Sequence, residues 1–273
     1  MPPKMEAKYE EQFTAFIDFL GFSEVSTRTD DTTRRKVLDL LLSLSELRGE
    51  FDLQSTVEEG SKSSRIKPAI STFSDHIVIS YPLQPIYAEF GSDEHIAALV
   101  IITQFLQLLT RIGAAALRIG FLVRGGATIG MLYHSGGVVF GEALVDAFQI
   151  ESRTSIYPRV VLSPQITSRP TWVENQPFIT RDNDGLYHFD YFKPLLIGAA
   201  RPGDRHTASV KEWFDEVTAL VARNLTELER SRRLNELAKW AWFAREFRSG
   251  LERVNPELLK SLGGSLDAIS WPK

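Results

Sequence analysis

A single acid interrupts an apolar run near the start of this chain, in the stretch FIDFLGFS at residues 16–23. The aromatic and aliphatic residues on both sides of Asp18 predict a buried β-strand over residues 12–20. A buried carboxylate is costly in free energy unless a cationic group pairs with it, so this acid needs a partner. Gly21 and Ser23 predict a turn directly after the strand. We therefore expect Asp18 to lie at a strand end with a role beyond capping.

Composition restricts the class of protein. The chain has 273 residues, enough for one large domain or a domain with an appendage, and no cysteine, which excludes disulfides and thiolate zinc sites. Its net charge of −4 gives no basic field for nucleic acid, and the polar N-terminus has no apolar signal region. The longest apolar helix candidate, around 96–109, contains Thr and Gln residues and predicts a core or interface helix. We therefore expect a soluble, cytoplasmic protein with no membrane segment.

Strand and helix signals alternate through the first 195 residues. The segment 69–81 predicts two strands that meet at a tight turn on Ser74 and Asp75, and a long apolar helix is predicted from about 93 to 116. Further on, two strands separated by SGG, a helix over EALVDAFQIESR, a strand at YPRVVLS and a hairpin around RDNDG are predicted. This alternation predicts an α+β fold, an α/β sandwich with helices on one face.

The C-terminal part has a different pattern. Two apolar stripes at helical spacing run from Val210 to Leu228 and from Leu234 to Leu251, which predicts one or two long helices. We expect these helices to pack on the body of the protein or on a partner subunit. The predicted organisation is a polar segment at 1–11, a main domain at 12–200 and a helical extension at 201–273.

Asp18 and Asp75 are both predicted at strand ends, and together they suggest metal chemistry. Two carboxylates on adjacent strand ends can hold divalent cations about 4 Å apart. Backbone amides over 19–23 that open toward a helix can hold phosphate oxygens. This combination suits attack on a nucleoside triphosphate, where metals neutralise the leaving pyrophosphate. An ordinary turn role for Asp75 is the alternative, because aspartate is common in turns.

Four motifs resemble, in order, those of the class III nucleotidyl cyclases. DFLGFS at 18–23 resembles their first-strand motif, and TFSDHIVIS at 72–80 resembles the hairpin whose turn carries the second metal-binding Asp. RGGATIG at 124–130 is similar to a later strand, and VVFGEALVDAFQIESR resembles the strand-to-helix step after it. The order and approximate spacing match across residues 12–195. The resemblance implies a mixed or antiparallel sheet flanked by helices.

The resemblance also implies the residues of a catalytic site. Two Mg²⁺ or Mn²⁺ ions would be held by Asp18, Phe19 and Asp75. One ion would activate the ribose 3′-hydroxyl for attack on the α-phosphorus and the other would hold the triphosphate. The β- and γ-phosphates would be bound by the backbone amides of Phe19, Leu20, Gly21, Phe22 and Ser23.

Sites in this family lie between two subunits, so the resemblance implies a head-to-tail homodimer with composite sites. One subunit would supply the two metal-binding Asp residues, and the other would supply Ser71, Val138 and the region of Arg153. The apolar helix and the C-terminal stripes offer surface for such a partner. The five histidines show no metal-ligand spacing, and His76 is expected to point to the strand face opposite Asp75.

Departures from the purine-using members concern the base. The place that carries Lys or Glu in adenylate or guanylate cyclases, four residues before the hairpin Asp, is Ser71, and the second base-reading place is Val138. A pocket without the matching polar groups cannot satisfy a purine edge, which disfavours ATP and GTP. Phe73 is expected on the same strand face as Ser71, where it would narrow the pocket to suit a pyrimidine ring.

A second departure concerns the helix after Gly141. The family's Asn and Arg, of which the Arg stabilises charge on the reacting phosphate, are replaced here by Val145 and Gln149. Arg153 lies one helical turn beyond Gln149 on the same face and is the candidate for the catalytic Arg role. A solvated surface Arg near a helix end is the alternative.

With these departures the chain most resembles the bacterial pyrimidine cyclases of the Pycsar anti-phage systems. That resemblance implies conversion of UTP, in slight preference to CTP, to the 3′,5′-cyclic monophosphate plus pyrophosphate, and a separate effector protein that binds the product. An adenylate or guanylate cyclase and a catalytically inactive nucleotide sensor are the alternatives. The retained Asp pair disfavours the sensor, and the missing Asn and Arg favour it. A diguanylate cyclase is disfavoured because TFSDH lacks that family's Gly-Gly-acid-acid-Phe turn.

Overall fold

The computed structural model describes residues 8–22, 31–46, 68–90, 93–174, 176–193 and 207–254. Within these ranges the strands are β1 (Glu10–Leu20), β2 (Ala69–Phe73), β3 (His76–Pro82), β4 (Leu122–Ser135), β5 (Val138–Phe140), β6 (Val160–Leu162), β7 (Ile179–Arg181) and β8 (Tyr187–Phe189). The helices in the same ranges are α1 (Asp31–Glu46), α2 (Leu83–Phe90), α3 (Glu94–Arg118), α4 (Glu142–Arg153), α5 (Pro164–Thr167), α6 (Pro170–Val173), α7 (Thr207–Arg230) and α8 (Leu234–Val254).

The described strands form one mixed sheet in the order β2-β3-β1-β4-β6-β8-β7, with β5 paired to β4 outside that path. β1 pairs antiparallel with β3 on one side and with β4 on the other, while β4 and β6 run parallel. The predicted α+β fold, with a mixed sheet flanked by helices, is therefore confirmed. The predicted turn on Ser74 and Asp75 and the predicted helix over 142–153 are also present.

Alternation along β1 sends its side chains into two different layers. The odd-numbered residues are buried in the main core together with α3, namely Phe13, Ala15, Ile17 and Phe19. Phe16 instead joins Val78 of β3 and Ala147 of α4 in a small cluster on the other face. Helices therefore lie on both faces, and the expectation of helices on one face is wrong.

Gly126 of β4 explains how α4 reaches this second face. A Cβ atom at this position would lie 2.3 Å from the backbone oxygen of Ala147 and 2.6 Å from Cβ of Ile150. Only a residue without a side chain lets the helix backbone approach the strand so closely. The second glycine of the RGGATIG motif thereby fixes where α4 crosses the sheet.

The helix α3 is long and apolar enough to cross a membrane by length and composition alone. In the fold, however, 67% of its most apolar window is buried inside the protein. Asp93 caps its N-terminus by accepting hydrogen bonds from the amides of His95 and Ile96. This helix lies in the core of the main layer, in agreement with the predicted core or interface helix.

The two C-terminal helices α7 and α8 pack on the body of their own chain. Their apolar stripes share one buried cluster with Leu117 of α3 and Leu122 of β4. A polar joint adds to this cluster, because the indole N–H of Trp242 in α8 donates to Oδ2 of Asp182 at 3.2 Å. The predicted long helices are therefore present. The predicted start of the extension at 201 lies outside the described residues.

Candidate functional site

Asp18, Asp75 and His76 lie together at one end of the β1–β3 pair and are called the Asp18 cluster below. One ligand-capable atom from each lies within 4.8 Å of the others. Nε2 of His76 is 3.7 Å from Oδ1 of Asp18, and its Nδ1 is 3.3 Å from Oδ1 of Asp75. The fold thus brings together two acids that are 57 positions apart in the sequence.

The orientation of His76 corrects the sequence-based expectation for this residue. In the β1–β3 register Asp18 is the direct partner of His76. Directly opposed residues of antiparallel strands project to the same face, so the imidazole is aimed at the acid. Strand alternation does not apply between His76 and Asp75, because Asp75 lies in the turn before β3 begins.

Arg124 of β4 supplies the cationic partner that the buried position of Asp18 demands. Its Nε donates to Oδ2 of Asp18 at 2.9 Å, and its NH2 group lies 2.6 Å from Oε1 of Glu151. The register of β1 and β4 places Arg124 directly opposite Asp18. The guanidinium therefore bridges two carboxylates, one from the strand and one from α4.

Glu151 is the least exposed acid of this group, with 2% of its surface accessible. Burial raises the pKa of Glu151 above its usual value, and nearby Asp18 adds to this rise while Arg124 opposes it. Arg124 contacts the carboxylates of Asp18 and Glu151, and Asp75 lies on the far side of His76, so with its three acids ionised the site carries excess negative charge. A bound cation would offset that excess, because opposite charge within a few ångströms favours ionised carboxylates.

The donor chemistry of the Asp18 cluster fits a divalent cation. Carboxylate oxygens are the ligands that hard divalent cations prefer, and an imidazole nitrogen is a common additional ligand. Arg124 engages Oδ2 of Asp18, which leaves Oδ1 facing His76 and the turn. The cluster is therefore able to hold a metal ion through Asp18, Asp75 and His76.

The predicted phosphate-binding segment is only partly described. The amide of Phe19 donates to the backbone oxygen of Asp75 at 3.3 Å, so that amide joins the strand to the hairpin turn. The Phe19 side chain is buried in the core, and Leu20 pairs with Leu122 as the last residue of β1. Gly21 follows with φ of 97°, a left-handed conformation that favours glycine. Phe22 packs against the core, and Ser23 lies outside the described residues.

A groove open to solvent lies beside β2 and is called the β2 groove below. It is lined by Ser71, Thr72, Phe73, Gly137, Val139 and Leu144, together with Ile70. Ser71 and Phe73 therefore both line this groove, and so does Thr72, which was expected to face the other way. Val138, predicted to read the base, is 56% exposed, and the groove is bordered instead by the residues on either side of it.

Phe73 connects the β2 groove to the Asp18 cluster. Its ring stacks on the His76 ring at 5.4 Å between centroids with an interplanar angle of 25°. The other side of the pair is covered by Phe16, at 5.9 Å from Phe73 and 5.1 Å from His76. The two candidate sites are therefore neighbours on one face of the sheet.

His134 was not among the predicted site residues, yet it reaches the wall of the groove. Its Nε2 lies 2.9 Å from Oγ of Ser71, and its Nδ1 lies 2.8 Å from Oγ of Ser80. This is possible because β4 runs past the start of β1 and its last residues pair with β5 instead. No local sequence signal predicts that contact, because the partners lie 63 and 54 positions apart.

Arg153, the predicted catalytic Arg, is exposed in the last turn of α4. Val145 and Gln149, which occupy the family's Asn and Arg places, are exposed on the same helix. The chain does not bring these three side chains to its own Asp18 cluster. Arg124 is the guanidinium that contacts the cluster within the described part of the chain.

Several large apolar side chains stay exposed around the groove and α4. They are Phe73, Val138, Phe140, Val145 and Phe148. Clustered exposed apolar residues of this kind mark surfaces that bind a partner. Comparison of the chain with models of known protein families, and with curated proteins, found no match.

Proposed function

We propose that this protein is a nucleotidyl cyclase that converts a pyrimidine nucleoside triphosphate, UTP in preference to CTP, into the 3′,5′-cyclic monophosphate and pyrophosphate. The observation that carries the proposal is the convergence of Asp18 and the hairpin-turn Asp75 in one cluster. Their motifs are also those that resemble the class III cyclases. The fold, with β1 central between β3 and β4, supports the same proposal.

The chemistry would depend on Mg²⁺ or Mn²⁺, with two ions per site as the resemblance implies. Metal ions held by Asp18 and Asp75 would supply Lewis-acid activation of the ribose 3′-hydroxyl and charge neutralisation of the triphosphate. The chain's own residues orient this apparatus. Arg124 fixes the rotamer of Asp18 through Oδ2. The Phe19–Asp75 hydrogen bond holds the turn against β1.

Base selection in this proposal belongs to the β2 groove. A half-exposed aromatic ring at Phe73 and a hydroxyl at Ser71 offer a flat apolar surface with one polar group. This position carries Ser71 rather than the Lys or Glu that would hydrogen-bond to a purine edge, which supports a pyrimidine substrate.

The remaining parts of the proposal concern context. The exposed apolar residues beside α4 support a homodimer with composite sites, in which Arg153 of one subunit would reach the metal cluster of the other. We further propose a cytoplasmic enzyme whose cyclic product acts on a separate effector protein in anti-phage defence, as the resemblance implies.

A single incubation tests the proposal. Purified protein is mixed with each of the four common nucleoside triphosphates and Mn²⁺, and products are identified by mass. The expected products are pyrophosphate and cyclic UMP. Cyclic AMP or cyclic GMP as the main product would contradict the pyrimidine assignment.

A catalytically inactive sensor is the second candidate function. It is favoured by the exposed position of Arg153 and by the Val145 and Gln149 replacements. Nucleotide binding by calorimetry without any product from the four triphosphates would establish this reading instead.

A further inference from the structure

Two linked hydrogen bonds lie at the wall of the β2 groove, and burial determines which groups in them donate and which accept. They join Ser80 to His134 at 2.8 Å and His134 to Ser71 at 2.9 Å. Ser80 has 0% of its surface exposed, whereas Ser71 lines the groove. The Ser80 end of this hydrogen-bonded row is therefore buried in the protein, and the Ser71 end faces the groove.

The sealed end fixes the direction of the hydrogen bonds. Within the described part of the chain, Oγ of Ser80 has one hydrogen-bond partner, Nδ1 of His134. A buried hydroxyl proton needs an acceptor, because a buried donor without a partner is costly. Nδ1 therefore accepts the Ser80 proton, and a neutral imidazole that accepts at Nδ1 carries its own proton on Nε2.

The open end follows from the same count. The Nε2–H of His134 donates to Oγ of Ser71, so the Ser71 hydroxyl does not donate its own proton to the imidazole. In the opposite tautomer Ser71 would donate to His134 and could only accept from a ligand. The buried Ser80 thus leaves Ser71 with a proton to donate into the groove.

We infer that Ser80 and His134 are positioning residues that make Ser71 a hydrogen-bond donor to a carbonyl oxygen of a nucleobase held in the β2 groove. This inference rests on the proposed function and sharpens its substrate class. Uracil presents the carbonyl O4 at the edge where cytosine presents an amine. The exposed ring of Phe73 offers the flat surface on which such a base rests. We expect this donated hydrogen bond to favour uracil over cytosine, because O4 accepts it and the exocyclic amine of cytosine does not.

The tautomer is measured directly, without any nucleotide. Protein with ¹⁵N-labelled histidine is observed by long-range ¹⁵N–¹H correlation, and the His134 signals are assigned by their loss in His134→Phe. The expected result is a neutral ring with the proton on Nε2. A proton on Nδ1 overturns the inference and leaves the proposed cyclase activity untouched.

Substitutions separate positioning from a structural role. His134→Phe leaves the buried Ser80 hydroxyl without its hydrogen-bond acceptor. It is therefore expected to lower both the melting temperature and the ratio of kcat/KM for UTP to that for CTP. Adding Ser80→Ala removes this unpaired hydroxyl. The double variant is expected to regain stability but not the ratio, which stays reduced by roughly tenfold, as expected when a polar substrate contact is lost.

Two variants at Ser71 complete the test. Ser71→Ala is expected to lose the UTP preference by a similar factor, and Ser71→Thr, which keeps the hydroxyl, is expected to retain it. An unchanged UTP to CTP ratio in Ser71→Ala or in the double variant contradicts the inference. A wild-type protein that uses neither nucleotide contradicts the proposed function, and the base reading with it.

Discussion

Arg159 and Arg124 each lie between two carboxylates, yet their surroundings differ. Arg159 pairs with Asp182 and Asp184 of the β7–β8 turn and is 1% exposed. Arg124 pairs with Asp18 and Glu151, and its side chain is 23% exposed. The first pair of acids comes from one tight turn, whereas the second joins a strand to a helix.

The partners around Arg159 form a closed structural joint. Its guanidinium lies 5.7 Å from the centre of the Tyr157 ring and 5.8 Å from that of Trp242. Those two rings stack on each other at 5.7 Å, so the C-terminal helix α8 is fastened to the sheet here. Asp182 also accepts from the Trp242 indole and from the backbone amide of Asn183, which gives this acid three donors.

The guanidinium of Arg124 does not engage all the carboxylate oxygens near it. Oδ2 of Asp18 accepts from Arg124, while Oδ1 faces His76 at 3.7 Å. Asp75 adds a further carboxylate on the open side. The comparison teaches that a bridging arginine supports structure where its acids are fully engaged. It marks a candidate binding site where one acid oxygen, such as Oδ1 of Asp18, faces other groups that can bind a metal ion.

The largest expected effect is the loss of turnover in Asp75→Asn. This change removes an anionic metal ligand while keeping the side-chain size, and we expect kcat to fall by roughly 100-fold or more. Mutation of residues that only hydrogen-bond to metal ligands already costs about 10–100-fold in metal affinity or activity. The measurement is pyrophosphate release with UTP and Mn²⁺. Asp184→Asn, at the structural joint, serves as the control and should keep full turnover. Equal activity in both variants would show that Asp75 holds no metal.

Next in size is the stability loss in Arg159→Met. Removing a buried cation leaves its acids without their partner, which costs about 3–5 kcal/mol. We expect urea unfolding to show this loss, and turnover per folded molecule to stay near wild type. Arg124→Met is the matched variant and should lose less stability, because Glu151 can take up a proton. A reversed order of the two stabilities would refute the comparison.

A smaller effect is expected from Arg124→Lys, which keeps the charge but loses the fork that spans Asp18 and Glu151. A lysine ammonium lacks the rigid planar fork that directs one N–H group to each of these two carboxylates. We expect Mn²⁺ affinity to fall about tenfold, as for other residues that orient metal ligands. Titration calorimetry with Mn²⁺ measures this directly. Unaltered affinity would mean that Asp18 needs no such orientation.

The next effect concerns Trp242→Phe, which keeps an aromatic ring against Arg159 but removes the pyrrole part of the indole and with it the donor to Asp182. One hydrogen bond to a charged acceptor is lost, so we expect a cost of about 1–2 kcal/mol in unfolding free energy. Urea midpoints of the variant and wild type provide the test. A larger loss, near that of Arg159→Met, would indicate that ring packing dominates the joint.

The smallest effect is a pH dependence at the same joint. Hydrogen bonding from Arg159 lowers the pKa of Asp184 below its usual value. Its stabilising effect is therefore present above the unfolded-state pKa of about 3.9 and is lost as pH falls through the folded value. We expect Asp184→Asn to lose less stability than wild type between neutral pH and acid pH. Parallel melting curves for the two proteins would contradict this assignment.

Much of the fold could be predicted because its signals are local. The hairpin turn on Ser74 and Asp75, the helix at 142–153 and the two long C-terminal helices all follow from turn residues and apolar periodicity. The acid inside FIDFLGFS likewise indicated that Asp18 had a partner. These features depend on residues that are neighbours in the chain, so the sequence alone determines them.

The tertiary structure decided which residues surround Asp18. The β1–β3 register aims His76 at the acid, and the β1–β4 register places Arg124 opposite it. Glu151 arrives only because Gly126 lets α4 lie close on the sheet. His134 reaches Ser71 only because the end of β4 leaves β1 and pairs with β5. Strand register and helix placement depend on packing between distant segments, and periodicity within one segment carries no information about either.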